Sequence, residues 1–304
     1  MVFKTLPMLA TSPLLLHRWG ELMERNLEKP CVSIIMPTYN SGQTIEKCLK
    51  SIQDQDYSLY EIIVVDNFSK DDTLETAKKF GAKTILQKCT PGQARNIGLN
   101  NSTGKYVLFM DSDQVLSRTI VKECVERCEN ENIGMVVIPE VFVGESFWGS
   151  CSAAWKNCFE EVKRQDGNAR EIIRNRPRFF LKEELTRVGM LDNSLLWGED
   201  YDLHRKLKKA NVKQVETESE IYHLELSSLR ETLIKNLRYG KSMPVFVQQT
   251  KEQIFPLMPE NALLTFQRVI RNAQNSPSEI IGCAVLLSIK SYSTAIGLLV
   301  GIIR

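Results

Sequence analysis

The chain has 304 residues, enough for one domain of about 200 to 250 residues plus appendages. Its formal net charge is +2 and it carries no long basic tract, which argues against nucleic acid as a partner. Eight cysteines lie among long helical and strand patterns in a chain far larger than a disulfide scaffold, so they read as buried thiols of a protein kept in a reducing, cytoplasmic compartment.

Taken in chain order, residues 1–29 contain Leu14-Leu15-Leu16 but lack the ordered basic, apolar and small-residue regions of a signal peptide, and are expected to form a short helical lead-in. Short apolar runs rich in Val and Ile at 32–36, 61–65, 83–86, 105–110 and 135–138 predict strands. Helical patterns at 42–55, 71–80, 93–100 and 119–131 lie between or after them. The natural solution is an α/β fold, a mostly parallel sheet with helices on both faces. Cys124 and Cys128 are one helical turn apart, but without a CxxC or a neighbouring histidine they read as core thiols rather than zinc ligands.

Three clusters fall where predicted strands end: Pro37-Thr38-Tyr39-Asn40, Val65-Asp66-Asn67 and Asp111-Ser112-Asp113. In open sheets of this kind ligands bind beyond the carboxyl ends of the strands. The third cluster follows the apolar run Tyr106-Val107-Leu108-Phe109-Met110, so two carboxylates leave a buried strand together. Carboxylates there are costly unless they hold a cation. In extended backbone Asp111 and Asp113 point to the same side, and two hard oxygen donors beside a phosphate-bearing ligand suit Mg²⁺ or Mn²⁺. The chemistry implied is metal-assisted and acts on a nucleotide diphosphate.

The second half is less regular. Residues 146–165 read as a helix with an aromatic face from Phe147, Trp148, Trp155 and Phe159, and 178–181 as a short strand. Trp197-Gly198-Glu199-Asp200 opens a helix running through Leu203 and Leu207; acidic residues in a first turn also have a plain dipole explanation. Residues 214–223 are expected to return to the sheet, followed by a basic amphipathic stretch at 229–247. Residues 280–303 are mostly apolar and small and long enough to span a bilayer, yet Lys290 and its serine neighbours interrupt them near the midpoint. An interfacial helix or hairpin, a single tilted span and a helix docked on protein are all compatible with that pattern. The expected organisation is a lead-in at 1–29, a catalytic domain at 30–225 with halves 30–115 and 116–225, and a C-terminal helical, partly hydrophobic extension at 226–304.

The ordered set Val32-Ser33-Ile34-Ile35-Met36-Pro37-Thr38-Tyr39-Asn40, Glu61-Ile62-Ile63-Val64-Val65-Asp66-Asn67, Pro91-Gly92-Gln93-Ala94-Arg95-Asn96-Ile97-Gly98, Asp111-Ser112-Asp113 and Gly198-Glu199-Asp200-Tyr201-Asp202-Leu203 resembles the family 2 glycosyltransferases of the GT-A fold, over about residues 31 to 250. Departures are Asn67-Phe68-Ser69 after the second strand and Gly189-Met190-Leu191-Asp192 before the acidic helix. The resemblance implies a Rossmann-like GT-A domain and an inverting transfer of a sugar from a nucleotide-diphosphate donor. A UDP-sugar is favoured, with GDP- and dTDP-sugars possible, and the acceptor is a hydroxyl on a glycan, glycolipid or polyprenyl-phosphate-linked molecule.

It further implies roles by position. Pro37, Tyr39, Asn40 and Asp66 would form the nucleotide-base pocket, and Arg95 and Asn96 would meet the diphosphate at a helix opening. Asp111 and Ser112 would approach the ribose or the metal's water shell, Asp113, with Asp111 and His223, would hold Mg²⁺ or Mn²⁺, and Asp200 would serve as base with Glu199 shaping the acceptor site. Two other readings are an inactive carbohydrate-binding protein, against which the intact Asp111, Asp113 and Asp200 speak, and a nucleotidyltransferase, against which the absence of a Gly-rich basic first loop speaks. The C-terminal segment, with Arg268, Arg271 and Arg304 near it, is expected to bring the protein to the cytoplasmic face of a membrane.

Overall fold

A computed structural model of the protein describes residues 30–165, 177–226, 228–250, 259–272 and 276–303. The expected lead-in at 1–29 and Arg304 lie outside the described residues. The strands are β1 (Val32–Thr38), β2 (Tyr60–Asp66), β3 (Lys83–Leu86), β4 (Tyr106–Phe109), β5 (Gln114–Leu116), β6 (Met135–Val137), β7 (Glu140–Gly144), β8 (Pro177–Leu181), β9 (Gln214–Glu216) and β10 (Ile221–Glu225). The helices are α1 (Ile45–Gln53), α2 (Thr73–Lys79), α3 (Pro91–Asn100), α4 (Ile120–Glu131), α5 (Phe147–Gln165), α6 (Lys182–Arg187), α7 (Glu199–Lys209), α8 (Leu229–Thr250), α9 (Pro259–Arg271) and α10 (Pro277–Ile303).

Seven strands form one sheet in the order β3-β2-β1-β4-β8-β6-β9, parallel except for β8, which runs antiparallel to both β4 and β6. The sheet draws on residues from both sides of position 115. Alternation along the central strands separates two cores. Ile34, Met36, Val64 and Leu108 face one layer, filled by Ile45, Leu49, Ile52, Val121 and Cys124 of α1 and α4. Ile35, Ile63, Val107 and Phe109 face the other, filled by Ala94, Leu99, Leu203 and Leu207 of α3 and α7. The helix-on-both-faces architecture follows from that two-sided burial.

A second sheet, β5-β10-β7, corrects the expectation that 214–223 is one strand of the main sheet. Thr217 breaks the run: its hydroxyl donates to the Ser219 carbonyl at 2.9 Å and turns the chain, so β9 stays in the large sheet while β10 pairs with β5 and β7.

The C-terminal helices pack beside this small sheet. α10 lies against α8 and α5, with α9 also on α5, and Cys151, Cys158, Val269, Cys283 and Leu286 share a core. Where α8 and α10 cross, a Cβ added at Gly240 would sit 2.2 Å from the Thr294 carbonyl, and one at Gly297 2.4 Å from the Leu237 carbonyl, so only glycine admits this backbone approach. α10 is long and apolar enough to cross a membrane by length and composition, but about a quarter of its most apolar window, 28%, is buried against the protein. All eight cysteines are free, and six of them are buried.

Candidate active site

Parallel registers set the strand ends level. Thr38 of β1 lies beside Asp66 of β2, and Ile35 beside Phe109 of β4, so Thr38, Asp66 and Asp111 emerge at one edge of the sheet. Asp66 is fully buried and organises the first two loops. It accepts from the Thr38 hydroxyl at 2.8 Å, from the Ser69 amide at 2.8 Å and from the Ser69 hydroxyl at 2.5 Å. Asn40, at φ 50°, donates its amide to Ser69 Oγ and accepts from the Lys70 amide, joining the same two loops. Pro37 is half-buried near the end of β1, and Tyr39 stands 60% exposed at the rim. Phe68, unmarked by the motif, is 46% exposed with a left-handed φ of 59°, a second ring held out beside Asp66.

Helix α3 starts earlier than expected. Thr90 and Gln93 form a reciprocal capping box with Pro91 in the first turn, so Arg95 and Asn96 sit a turn inside the helix rather than at its opening. The Asn96 amide is committed elsewhere, donating to the Leu191 carbonyl and to Asn193 Oδ1, each at 2.8 Å, while its oxygen accepts from the Leu191 amide at 3.1 Å. Its side chain sits under the 191–193 loop.

Arg95 points inward and is the hub of a charge network. Its guanidinium lies 2.7 Å from Asp111, 3.4 Å from Glu199 and 3.3 Å from Asp200. Arg178 of β8 reaches Asp111 from the other side at 3.2 Å and Glu140 of β7 at 2.5 Å. Burial alone would raise the Asp111 pKa, but Arg178 and Arg95 outweigh it and hold the carboxyl well below the usual carboxylate range. Both oxygens of Asp111 are thus engaged by guanidiniums.

The network continues to His223. Its Nδ1 lies 3.2 Å from Glu140 and its Nε2 3.3 Å from Asp113. Burial lowers the imidazole pKa, yet hydrogen bonds that the ring donates to Asp113 and Glu140 raise it to about 9. The pairing of β10 with β5 puts His223 opposite Gln114, whose side chain also accepts from the Asp111 amide at 2.8 Å. Ser112 is tied back to Ser41, hydroxyl to hydroxyl, at 2.7 Å. Arg178, Glu140 and Gln114 belong to the site and escaped the sequence reading; the only available signal was a lone arginine inside the apolar Pro177-Arg178-Phe179-Phe180 strand.

A divalent cation fits one end of this arrangement. Five carboxylates, Asp111, Asp113, Glu140, Glu199 and Asp200, share two guanidiniums and the His223 imidazole, leaving the cluster net negative. Asp113, 42% exposed with one oxygen 3.3 Å from the His223 ring, is the most open carboxylate of the cluster. Among the described residues no three His, Cys, Asp or Glu side chains converge on one point. The protein would therefore offer two ligands, and phosphate oxygens would supply others, the usual manner for Mg²⁺.

The family model for glycosyl transferase family 2 matches residues 33–185, just over half of the chain. The chain belongs to glycosyl transferase family 2. Among its relatives, glycosyltransferase AglE of Haloferax volcanii is 26% identical over 222 residues, covering 70% of this chain and 72% of AglE. The poly(ribitol-phosphate) β-N-acetylglucosaminyltransferase TarS of Staphylococcus aureus is 32% identical over 115 residues, 35% of this chain but only 20% of TarS. The structure of residues 1–349 of TarS with UDP-GlcNAc superposes with a TM-score of 0.52 at 16% identity, covering 89% of this chain and 90% of that one. The mannosyltransferase PcManGT of Pyrobaculum calidifontis, with GDP-Man and Mn²⁺, gives 0.51 at 18% identity, covering 95% of this chain and 83% of that one. The α/β fold with its mostly parallel sheet is shared with these two structures, and α10 is its C-terminal apolar helix in this chain.

Proposed function

We propose that this family 2 glycosyltransferase transfers a sugar, with inversion, from a nucleotide-diphosphate donor to an acceptor hydroxyl, assisted by a divalent metal. The observation that carries the reading is the unbroken run of charged contacts from Asp200 through Arg95, Asp111, Arg178 and Glu140 to His223 and Asp113. It spaces a base and a metal-ready carboxylate at opposite ends of one rigid, buried frame. Tyr39 and Phe68 are free to flank a base beside Asp66, and the relatives with UDP-GlcNAc and GDP-Man favour a sugar nucleotide, UDP-linked in the first instance.

In the transfer itself, Asp200 accepts the acceptor hydroxyl's proton as its oxygen attacks the anomeric carbon. Arg95, 3.3 Å away, keeps that carboxylate oriented, and Glu199 lines the same entrance. Asp113 would hold Mg²⁺ or Mn²⁺, joined by His223 once its ring gives up the proton it shares with Asp113 and Glu140, and the metal would supply Lewis-acid neutralisation of charge on the departing nucleoside diphosphate. Attack from the face opposite the leaving group turns an α-linked donor into a β-linked product, with no covalent sugar–enzyme bond. We further infer that α10 brings the protein to the cytoplasmic face of a membrane, since Ile281, Ile296, Leu299 and Ile302 on one side of it are each more than half exposed.

The test is donor turnover with UDP-GlcNAc and GDP-mannose, with and without Mn²⁺, and nuclear magnetic resonance of the product's anomeric proton. Metal-dependent release of the nucleoside diphosphate with an inverted product supports the reading. Turnover unaffected by exhaustive chelation would remove the metal, and a retained anomer would remove the single displacement.

A further inference from the structure

Glu140 stands behind the metal end of the site and takes no part in the transfer itself. β7 and β10 run parallel with Phe142 opposite His223, so the two rings pack at 5.2 Å, and Glu140, an alternate residue of β7, falls on the same face. On the other side of the ring, the Leu224 amide donates to the Asp113 carbonyl at 2.8 Å and fixes that residue just ahead of β5. His223 is thereby held between neighbouring strands.

The ring's Nδ1 lies 3.2 Å from Glu140 Oε2, and its Nε2 lies 3.3 Å from Asp113 Oδ2. Gln114 also approaches Nδ1, at 3.5 Å, but with its amide nitrogen, because its oxygen is taken by the Asp111 amide. Of these two neighbours only Glu140 accepts a proton from Nδ1. Nor does Glu140 follow the ring freely: its Oε1 accepts from Arg178 Nε at 2.5 Å, and Arg178 Nη1 in turn reaches Asp111 Oδ2 at 3.2 Å. The Glu140 and His223 side chains are only 15% and 16% exposed, so little water competes for the bond between them.

A histidine that binds a cation through one nitrogen carries its proton on the other, and a carboxylate there fixes tautomer and ring orientation. Adjacent ligands of an octahedral cation, at bonds of about 2.0–2.1 Å, stand roughly 3 Å apart. The Nε2–Oδ2 separation of 3.3 Å is close to that spacing. We propose that Glu140 is a positioning residue for the metal: it keeps the His223 proton on Nδ1 and turns Nε2 toward Asp113, so that nitrogen and carboxylate take one cation together. The inference rests on the metal-dependent reading of the site and adds to it a residue outside the sequence motifs. Through Arg178, the same carboxylate ties the orientation of the ring to Asp111.

The test is Mn²⁺ binding to the full-length protein with saturating UDP, read by electron paramagnetic resonance. Pulsed spectra of the wild type should carry the modulation of a directly bound imidazole nitrogen. In Glu140→Gln the amide oxygen suits Arg178 and the amide nitrogen then faces Nδ1, donating where the carboxylate accepted. That variant should lose the nitrogen modulation and bind Mn²⁺ about 10- to 100-fold more weakly. In a His223→Ala background the same substitution should cost nothing further, as expected of a residue that acts through the ring. The wild type gives an independent reading: with isotope-labelled histidine and Zn²⁺ as a diamagnetic stand-in, magnetic resonance should find the His223 proton on Nδ1 and the metal on Nε2. Unchanged Mn²⁺ affinity in Glu140→Gln, a loss that persists without His223, or a proton on Nε2 overturns the proposal. Wild-type protein that binds Mn²⁺ without a nitrogen signal overturns this inference alone, whereas wild-type protein that binds no Mn²⁺ overturns the metal reading beneath it as well.

Discussion

Asp111 and Asp113 stand two residues apart in one motif and differ in almost every physical respect. Asp111 is clamped between Arg95 and Arg178, whereas Asp113 leaves its carboxylate 42% exposed beside His223. Asp113→Ala should therefore abolish metal-dependent turnover and leave the melting curve where it was. Asp111→Ala leaves two buried guanidiniums short of a partner, and should lower stability by about 3 kcal/mol as well as activity, the usual cost of breaking a buried pair from one side. Thermal denaturation of the two variants in parallel decides this, and a common midpoint would refute the clamp. Asp200→Asn keeps the shape and removes the base, so transfer should fall by roughly 10²-fold while nucleotide binding, read by calorimetry, persists. Joint loss of both would move Asp200 into the donor site. At this scale the sequence disclosed the residues that sit at strand ends in recognisable strings. It concealed Arg178 and Glu140, which reach the site from strands 67 and 29 positions beyond Asp111 with no local pattern to mark them.

Among the elements, the first four strands and four helices were legible because each buries a two-sided or one-sided apolar face of the right period. β5 and β7 were not, and β9 was read only as part of one longer stretch, 214–223, returning to the sheet. β5 and β9 are three residues long, and the pairing that defines all three is made with strands remote in sequence. The start of α7 depends on Gly198, whose φ of 83° and whose absent Cβ, 2.5 Å from the Phe246 ring if present, both require glycine. Gly198→Ala should cost about 1 to 3 kcal/mol and displace Asp200 with the first turn, so kcat should fall together with stability. A stable, fully active alanine variant would show that α7 is positioned from elsewhere. At the α8–α10 crossing, Gly240→Val should drive the helices apart and make the C-terminal region sensitive to limited proteolysis at temperatures where the sheet remains folded.

For the whole molecule, the three sequence readings of residues 280–303 narrow to a single long helix laid along α8 and α5 with one apolar side outward. Periodicity could not distinguish them, because Lys290 satisfies a span, a bend or a docked helix equally until its surroundings are known. Changing Ile281, Leu299 and Ile302 together to serine should release the protein from anionic phospholipid vesicles in a sedimentation assay without altering its circular dichroism. Wild-type protein that ignores such vesicles would defeat the membrane assignment.

The contact of Phe246 with Gly198, and the hydrogen bond of 2.7 Å from Gln249 to Ser194, join α8 to the loop and helix that carry Asp200. α8 is in turn fixed by α10. The proposed surface attachment and the proposed base are therefore linked through α8, and where both operate thermodynamic reciprocity governs the pair. Whatever factor vesicles add to nucleotide affinity, saturating nucleotide must add the same factor to vesicle affinity, so the coupling can be read from either end of the molecule.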